Sequence, residues 1–166
     1  MTDVLVRPSV NDDIGAIQKI YKYEVLNGTA TFDKVPPTEE ELKDKRQTII
    51  ESGFPYLVAE KAGRVIGYSY VSLYRERSAY SKTVENAIYI DPDFRGMGVA
   101  TKLLSALLPI CKEIGLKQVI AVIGDSENNG SITLHKNFGF RKVGTMEKVG
   151  FKFDRWIDVV LMQKSL

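Results

Sequence analysis

Apolar and polar positions along this chain fall into blocks whose period changes, and the changes mark out its elements. Val4-Leu5-Val6 is a short apolar run stopped by Arg7-Pro8 and predicts a first strand. Asn11 or Asp12 then caps a helix in which Ile14, Ile17, Ile20, Tyr21 and Val25 recur at helical spacing. Asn27-Gly28 closes that helix, and Thr29 to Pro37 is an irregular loop. Thr38 followed by Glu41 is a capping-box pattern opening a polar helix to about Ser52, whose Glu39, Glu40, Lys43 and Lys45 read as a solvated face. Tyr56 to Glu60 and Val65 to Val71 flank Lys61-Ala62-Gly63-Arg64 and predict an antiparallel hairpin. After a polar connection from Arg75 to Tyr80, Val84 to Ile90 predicts a fourth strand. Val99, Leu103, Leu104, Leu107, Leu108 and Ile110 form the apolar side of a third helix, with a kink expected at Pro109. Gln118 to Ile123 predicts a fifth strand and Ser131 to Asn137 a short helix. Gly139-Phe140 opens a last β region, which includes Val143 and a final strand near Trp156 to Met162.

The order β-α-α-β-β-β-α-β-α-β-β mixes hairpins with strand-helix-strand units and predicts an α/β fold on a mixed sheet. No repeat or interdomain linker interrupts it, so residues 1–166 read as one domain, long enough to bury a sizeable core. Twenty-three basic against 21 acidic residues leave a net charge of +2, too balanced for a nucleic-acid or membrane surface. No apolar run approaches the roughly 20 residues of a membrane span, and Met1 to Arg7 lacks the parts of a signal peptide, so a cytoplasmic location is expected. Cys111 has no second cysteine to pair with. One cysteine and one histidine, His135, cannot build a cysteine- and histidine-rich zinc site, and no metal is expected. The acidic Asp125-Ser126-Glu127 reads as solvated loop carboxylates.

Candidate chemistry centres on Arg95-Gly96-Met97-Gly98-Val99-Ala100, between the fourth strand and the third helix. Glycines there let backbone approach a ligand, and the helix start offers unpaired N–H groups at a positive dipole end, a combination suited to phosphate. An ordinary sharp turn has the same pattern. Together with Ile88-Tyr89-Ile90-Asp91-Pro92, Asn128 and the segment His135 to Phe140, however, this stretch resembles the GNAT superfamily of N-acetyltransferases. Within it, Thr83-Val84-Glu85, Ala121 to Gly124, Ser131 to His135, and Val149 to Phe153 through Trp156 and Asp158 are similar to the phosphinothricin and methionine sulfoximine acetyltransferase branch. The resemblance spans nearly the whole chain in order and spacing.

The resemblance implies a mostly antiparallel sheet flanked by helices, with a splayed fourth strand. Acetyl-CoA is the implied co-substrate, its pyrophosphate on backbone N–H groups of Arg95, Gly96, Met97, Gly98, Val99 and Ala100. Its pantetheine would lie along Ile88, Tyr89 and Ile90 like an added strand, with Asn128 reaching the same arm. Glu85 is the implied base: beside apolar Val84, a carboxylate facing a cleft is partly desolvated, which raises its pKa. The alternative for Glu85 is a surface pair with Lys82 or Arg77. His135 stands where wider relatives often carry a tyrosine acid, which leaves catalysis and packing both open for it. Arg75 and Arg77, two apart on an extended segment, would leave one face and clamp a substrate carboxylate or phosphinate. Thr83 belongs to the matching run, and Phe32, Tyr80 and Val149 are expected to wall the pocket. The expected activity is acetyl transfer to the amine of a small amino acid or analogue by direct transfer in a ternary complex. A non-catalytic acyl-CoA-binding module, or a protein N-terminal or polyamine acetyltransferase, is the alternative. A homodimer through the region Phe153 to Met162 is also implied.

Overall fold

Strand-forming runs and helical runs segregate in the computed structural model, which describes residues 3–166; Met1 and Thr2, the start of the segment read for a targeting signal, lie outside the described residues. Seven strands form one sheet: β1 (Leu5–Pro8), β2 (Tyr56–Lys61), β3 (Arg64–Leu73), β4 (Thr83–Ile90), β5 (Gln118–Gly124), β6 (Arg141–Lys152) and β7 (Arg155–Ser165). Their order is β1-β2-β3-β4-β5-β7-β6, antiparallel throughout except between β4 and β5. Four α-helices accompany them: α1 (Ile14–Asn27), α2 (Glu39–Glu51), α3 (Val99–Glu113) and α4 (Asn129–Asn137). Among the described residues, no helix is long and apolar enough to cross a membrane.

Alternation along the strands builds a core on each face of the sheet. On β2, Leu57 and Ala59 pack with Leu103, Leu104 and Leu107 of α3, while Tyr56 and Val58 pack with Ile17 and Ile20 of α1 and Ile49 of α2. The second core is rich in tyrosine: Tyr56 stacks on Tyr70 at 4.8 Å, and Tyr68 lies 5.5 Å from Tyr89.

Several boundaries have identifiable causes. Thr38 and Glu41 exchange both capping-box bonds, at 3.1 and 2.7 Å, and start α2 as expected. The start of α1 is different from expectation. A short 3₁₀ turn over Asn11–Asp13 precedes it, and Asp13 occupies the cap position while its carboxylate pairs with Arg7 at 2.9 Å and accepts from the Val10 N–H. The β2–β3 hairpin turns through Ala62 and Gly63, both at positive φ, which matches the twist of the two strands. Helix α3 continues through Pro109.

What positions the site is the divergence of β4 from β5. The parallel pairing covers only Thr83, Val84 and Glu85, opposite Gln118, Val119 and Ile120, whereas β3 accompanies β4 all the way to Ile90. From Asn86 onward, the β5-facing edge of β4 has no strand partner among the described residues, as the splayed-strand expectation requires.

Candidate active site

Two cavities flank the open edge of β4. The larger, a groove of about 840 Å³, runs from the turn before α3 along Ile88 and Ile90 to Asn128 and α4. Gly96 and Gly98 adopt φ of +73° and +78°, the left-handed region that favours glycine. Gly98 caps α3 without any side-chain bond, and the first helical bond runs from the Lys102 N–H to the Gly98 carbonyl at 3.1 Å. The N–H groups of Val99, Ala100 and Thr101 therefore have no partner within the helix and face the groove end. A Cβ placed on Gly96 or Gly98 would meet nothing within 4 Å, so the turn borders open space of the kind an anionic group needs.

Two of the expected contributors stand apart. The Arg95 N–H already reaches the Pro92 carbonyl at 3.5 Å, and its guanidinium pairs with Glu24 at 2.7 Å, so the free donors begin at Gly96. Met97 is 62% exposed and does not line the groove. Asn128 does line it. Its Oδ1 accepts from the Ser131 N–H at 3.2 Å as the cap of α4, which leaves its Nδ2 donor for the groove.

The smaller cavity, about 410 Å³, is lined by Phe32, Lys45, Tyr70, Ser72, Glu85 and Asn86 among others. The two cavities share Ala30, Ile88, Tyr89, Asn128 and Ser131, so anything seated in one abuts what is seated in the other. Glu85 is half-buried on β4. Burial pushes its carboxyl above the ordinary value, while the charges of Lys45 and Arg75 pull against that rise.

Arg75, Arg77, Tyr80, Thr83 and Val149 do not line this cavity. The paired-arginine expectation assumed an extended segment, but β3 stops at Leu73 and the chain bends into a 3₁₀ turn over Ser78–Tyr80, so strand alternation does not extend to Arg75 and Arg77. Arg75 lies 5.1 Å from the Tyr74 ring, and Tyr80 stands edge-on to Tyr74 at 5.8 Å. Thr83 is at the first register position of β4, and Val149 sits on a bulge of β6, exposed.

His135 is 2% exposed and both its ring nitrogens are engaged. Nδ1 lies 2.7 Å from the Ser131 carbonyl, which only accepts, so Nδ1 carries the proton. Nε2 must then accept, and it does so from Asn86 Nδ2 at 3.0 Å. Burial lowers the pKa of this ring, with the Ser131 bond opposing. A neutral imidazole whose only proton is bonded away from the cavity holds Asn86 in place; that geometry gives it no proton to donate there.

The loop between α1 and α2, which carries Phe32, is fixed from the opposite end of the sheet. Lys152 at the end of β6 is buried and donates to the carbonyls of Gly28 at 2.6 Å and Thr31 at 2.8 Å, close to the negative end of α1. Gly124 and Gly150 let the loop in: a Cβ on Gly124 would come within 2.1 Å of the Thr29 carbonyl oxygen, and one on Gly150 within 2.3 Å of the Phe32 ring. Asp125, expected to be solvated, instead pairs with Arg155 at 2.7 Å and accepts from Thr29, and these bonds hold its carboxyl below the usual range. No cluster of three potential metal ligands occurs among the described residues.

A family profile, acetyltransferase (GNAT) domain, matches residues 6–161. The chain belongs to the GNAT family of acetyltransferases. It is 46% identical to phosphinothricin N-acetyltransferase of Alcaligenes faecalis, over 97% of this chain and 82% of that protein. It is 36% identical to L-methionine sulfoximine/L-methionine sulfone acetyltransferase of Salmonella typhimurium, over 93% of this chain and 90% of that protein. The fold is similar to the crystal structure of a GNAT superfamily phosphinothricin acetyltransferase from Sinorhizobium meliloti in complex with AcCoA, with a TM-score of 0.95, 43% identity, and coverage of 100% of this chain and 89% of that one.

In this GNAT acetyltransferase, sequence reasoning overlooked Glu24, Lys45, Tyr70, Asn86 and Lys152. Lys45 carried a misleading signal, since it sits in a charge run that reads as solvated. Tyr68-Ser69-Tyr70 carried a usable one: large aromatics two apart on a strand share a face. Glu24, Asn86 and Lys152 depend on partners 71, 49 and 124 residues away along the chain, which no local pattern reveals.

Proposed function

We propose that this chain transfers the acetyl group of acetyl-CoA to the amine of a small amino acid or analogue, of the phosphinothricin or methionine sulfoximine type, by direct transfer, with residues 1–166 acting as one domain. The carrying observation is that the groove and the cavity meet at Ile88 and Tyr89, with Glu85 on the cavity side. The relatives named for these acceptors, and the Sinorhizobium structure with AcCoA, support the reading.

Acetyl-CoA supplies a thioester-activated acetyl group. The N–H groups of Gly96 and of Val99 to Thr101 suit its pyrophosphate, and the open β4 edge from Asn86 to Ile90 has backbone groups to pair with its amide arm. Asn128 Nδ2 adds a donor to the same groove. Glu85 removes a proton from the incoming ammonium. An α-amine has a pKa of about 7.7–8.0, so a carboxylate shifted upward by burial shortens the gap between the two groups. A β4 amide near Ile88 stabilises negative charge developing on the acetyl oxygen. His135 positions Asn86.

The exposed apolar side chains of the β6–β7 hairpin support a homodimer. Trp156 and Phe151 are cross-strand partners with rings 5.1 Å apart, 61% and 44% exposed, and Val149 and Phe153, two residues to either side of Phe151, are exposed as well.

The test is thiol release from acetyl-CoA with a panel of amines. Phosphinothricin or methionine sulfoximine should release thiol, and Glu85→Gln should slow release about 10²-fold or more at pH 6.5, less at pH 9, with CoA affinity unchanged. Absence of release with every amino acid analogue overturns the reading.

A further inference from the structure

The acceptor cavity contains one carboxylate, Glu85, and one Lys or Arg side chain, Lys45, among the described residues that line it. We infer that Lys45 is the residue that selects an acidic acceptor, its ammonium taking the substrate's oxyanion, a carboxylate or phosphinate, while Glu85 faces the amine. This rests on the amino acid reading above and assigns the group that recognises the acid end.

Lys45 leaves the solvated side of α2, and its Nζ lies 5.2 Å from the centre of the Tyr70 ring, which with Ser72 forms part of the cavity wall. Arg95 is paired with Glu24, Arg155 with Asp125, and Lys152 with backbone carbonyls, while Arg75, whose charge also reaches Glu85, does not line the cavity. Lys45 has no carboxylate within 4.0 Å among the described residues. Desolvation opposes its charge but is outweighed by Tyr70, Asp33 and Glu85, so it stays an ammonium. Lys45 and Glu85 both line the cavity and form no ion pair within 4.0 Å, which leaves room between them. A zwitterionic α-amino acid has complementary charges a few ångströms apart. A polyamine would meet Lys45 with a like charge, and a neutral amide would leave it without a counterion.

The experiment compares wild type, Lys45→Met and Lys45→Arg with phosphinothricin, methionine sulfone and methionine sulfone α-amide. Both acetyl transfer and calorimetric binding of the acceptor to the CoA-loaded protein are measured. Lys45→Met should raise KM and Kd for the acids about 10- to 100-fold, with kcat and the KM for acetyl-CoA within about threefold, and leave the α-amide unaffected. Lys45→Arg should restore most of the loss. A loss shared by both acids assigns the α-carboxylate to Lys45, and a loss confined to phosphinothricin assigns the phosphinate. Equal values for wild type and Lys45→Met with both acids, or an equal loss on the amide, overturn the role of Lys45 while leaving the acetyltransferase reading intact. A wild type that neither binds nor acetylates any of the acceptors overturns both.

Discussion

Asn86 donates to Nε2 of His135 at 3.0 Å, and this bond fixes the proton of the ring on the far nitrogen, Nδ1. With the Asn86 amide turned this way the imidazole is neutral, because a protonated Nε2 would face its NH₂ group, donor against donor, and would require the amide to turn its buried, unpartnered Oδ1 to the ring.

A pH signature follows for stability. The folded-state pKa of His135 lies below its usual value, so its contribution is present above the unfolded value of about 6.5 and is lost as pH falls through the lower folded value. His135 is the only histidine in the chain. Thermal unfolding followed from pH 7.5 to 5 should therefore show a steeper loss of Tm in the wild type than in His135→Gln, whose starting Tm is lower because Asn86 loses a buried partner, a deficit of about 1–3 kcal/mol. Parallel pH profiles for the two proteins would contradict the neutral, buried assignment.

The glycine turn makes a separable prediction. Gly96→Ala and Gly98→Ala meet no neighbour, so any effect comes from forcing a Cβ into φ near +75°. Each should destabilise the protein by about 1–2 kcal/mol. Each should also weaken CoA binding as the turn relaxes away from the geometry that presents its N–H groups. Calorimetry with CoA and chemical denaturation read the two effects on one sample. Unchanged affinity for both variants would remove the turn from the binding site.

The periodicities and turn signals contained nearly all of the fold. Thr38 with Glu41, the Ala62-Gly63 turn, and the leucines of α3 are local patterns, and local physics alone decides them. The splay of β4 came only through resemblance to a family, because it depends on where β5 diverges. The residues that line the acceptor cavity depend on the same kind of long-range placement. Arg75 and Arg77 have the right chemistry, but β3 ends at Leu73, before the alternation that would set them on one face reaches them. Lys45 is brought to the cavity by the packing of α2 against β2 and the tyrosine core, contacts that link residues far apart in sequence.

Exposed apolar side chains on β6 and β7 predict an assembly change. Trp156→Glu would place a charge on the Phe151–Trp156 patch, which burial against a second copy would desolvate. Sedimentation should give a dimer for the wild type and a monomer for Trp156→Glu, with far-UV spectra alike, since Trp156 supports no core contact. A wild type that sediments as a monomer at tens of micromolar would show that the patch has another use.

Gly124 and Gly150 both admit the α1–α2 loop, but they should differ in what their loss does. A Cβ on Gly124 meets backbone, the Thr29 carbonyl oxygen at 2.1 Å, and backbone there cannot yield without pulling Gly28 and Thr31 off Lys152. A Cβ on Gly150 meets the Phe32 ring, a side chain 38% exposed, and a side chain can shift where backbone cannot. Gly124→Ala should therefore behave as an overpacking mutation, lowering stability by about 1–3 kcal/mol or more. Gly150→Ala should leave stability within about 1 kcal/mol, yet raise the KM for the acceptor several-fold, because Phe32 lines the cavity. Paired denaturation curves and acceptor KM values distinguish the two. If Gly150→Ala proves as destabilising as Gly124→Ala with an unchanged KM, Phe32 is a packing residue and not a wall of the acceptor site.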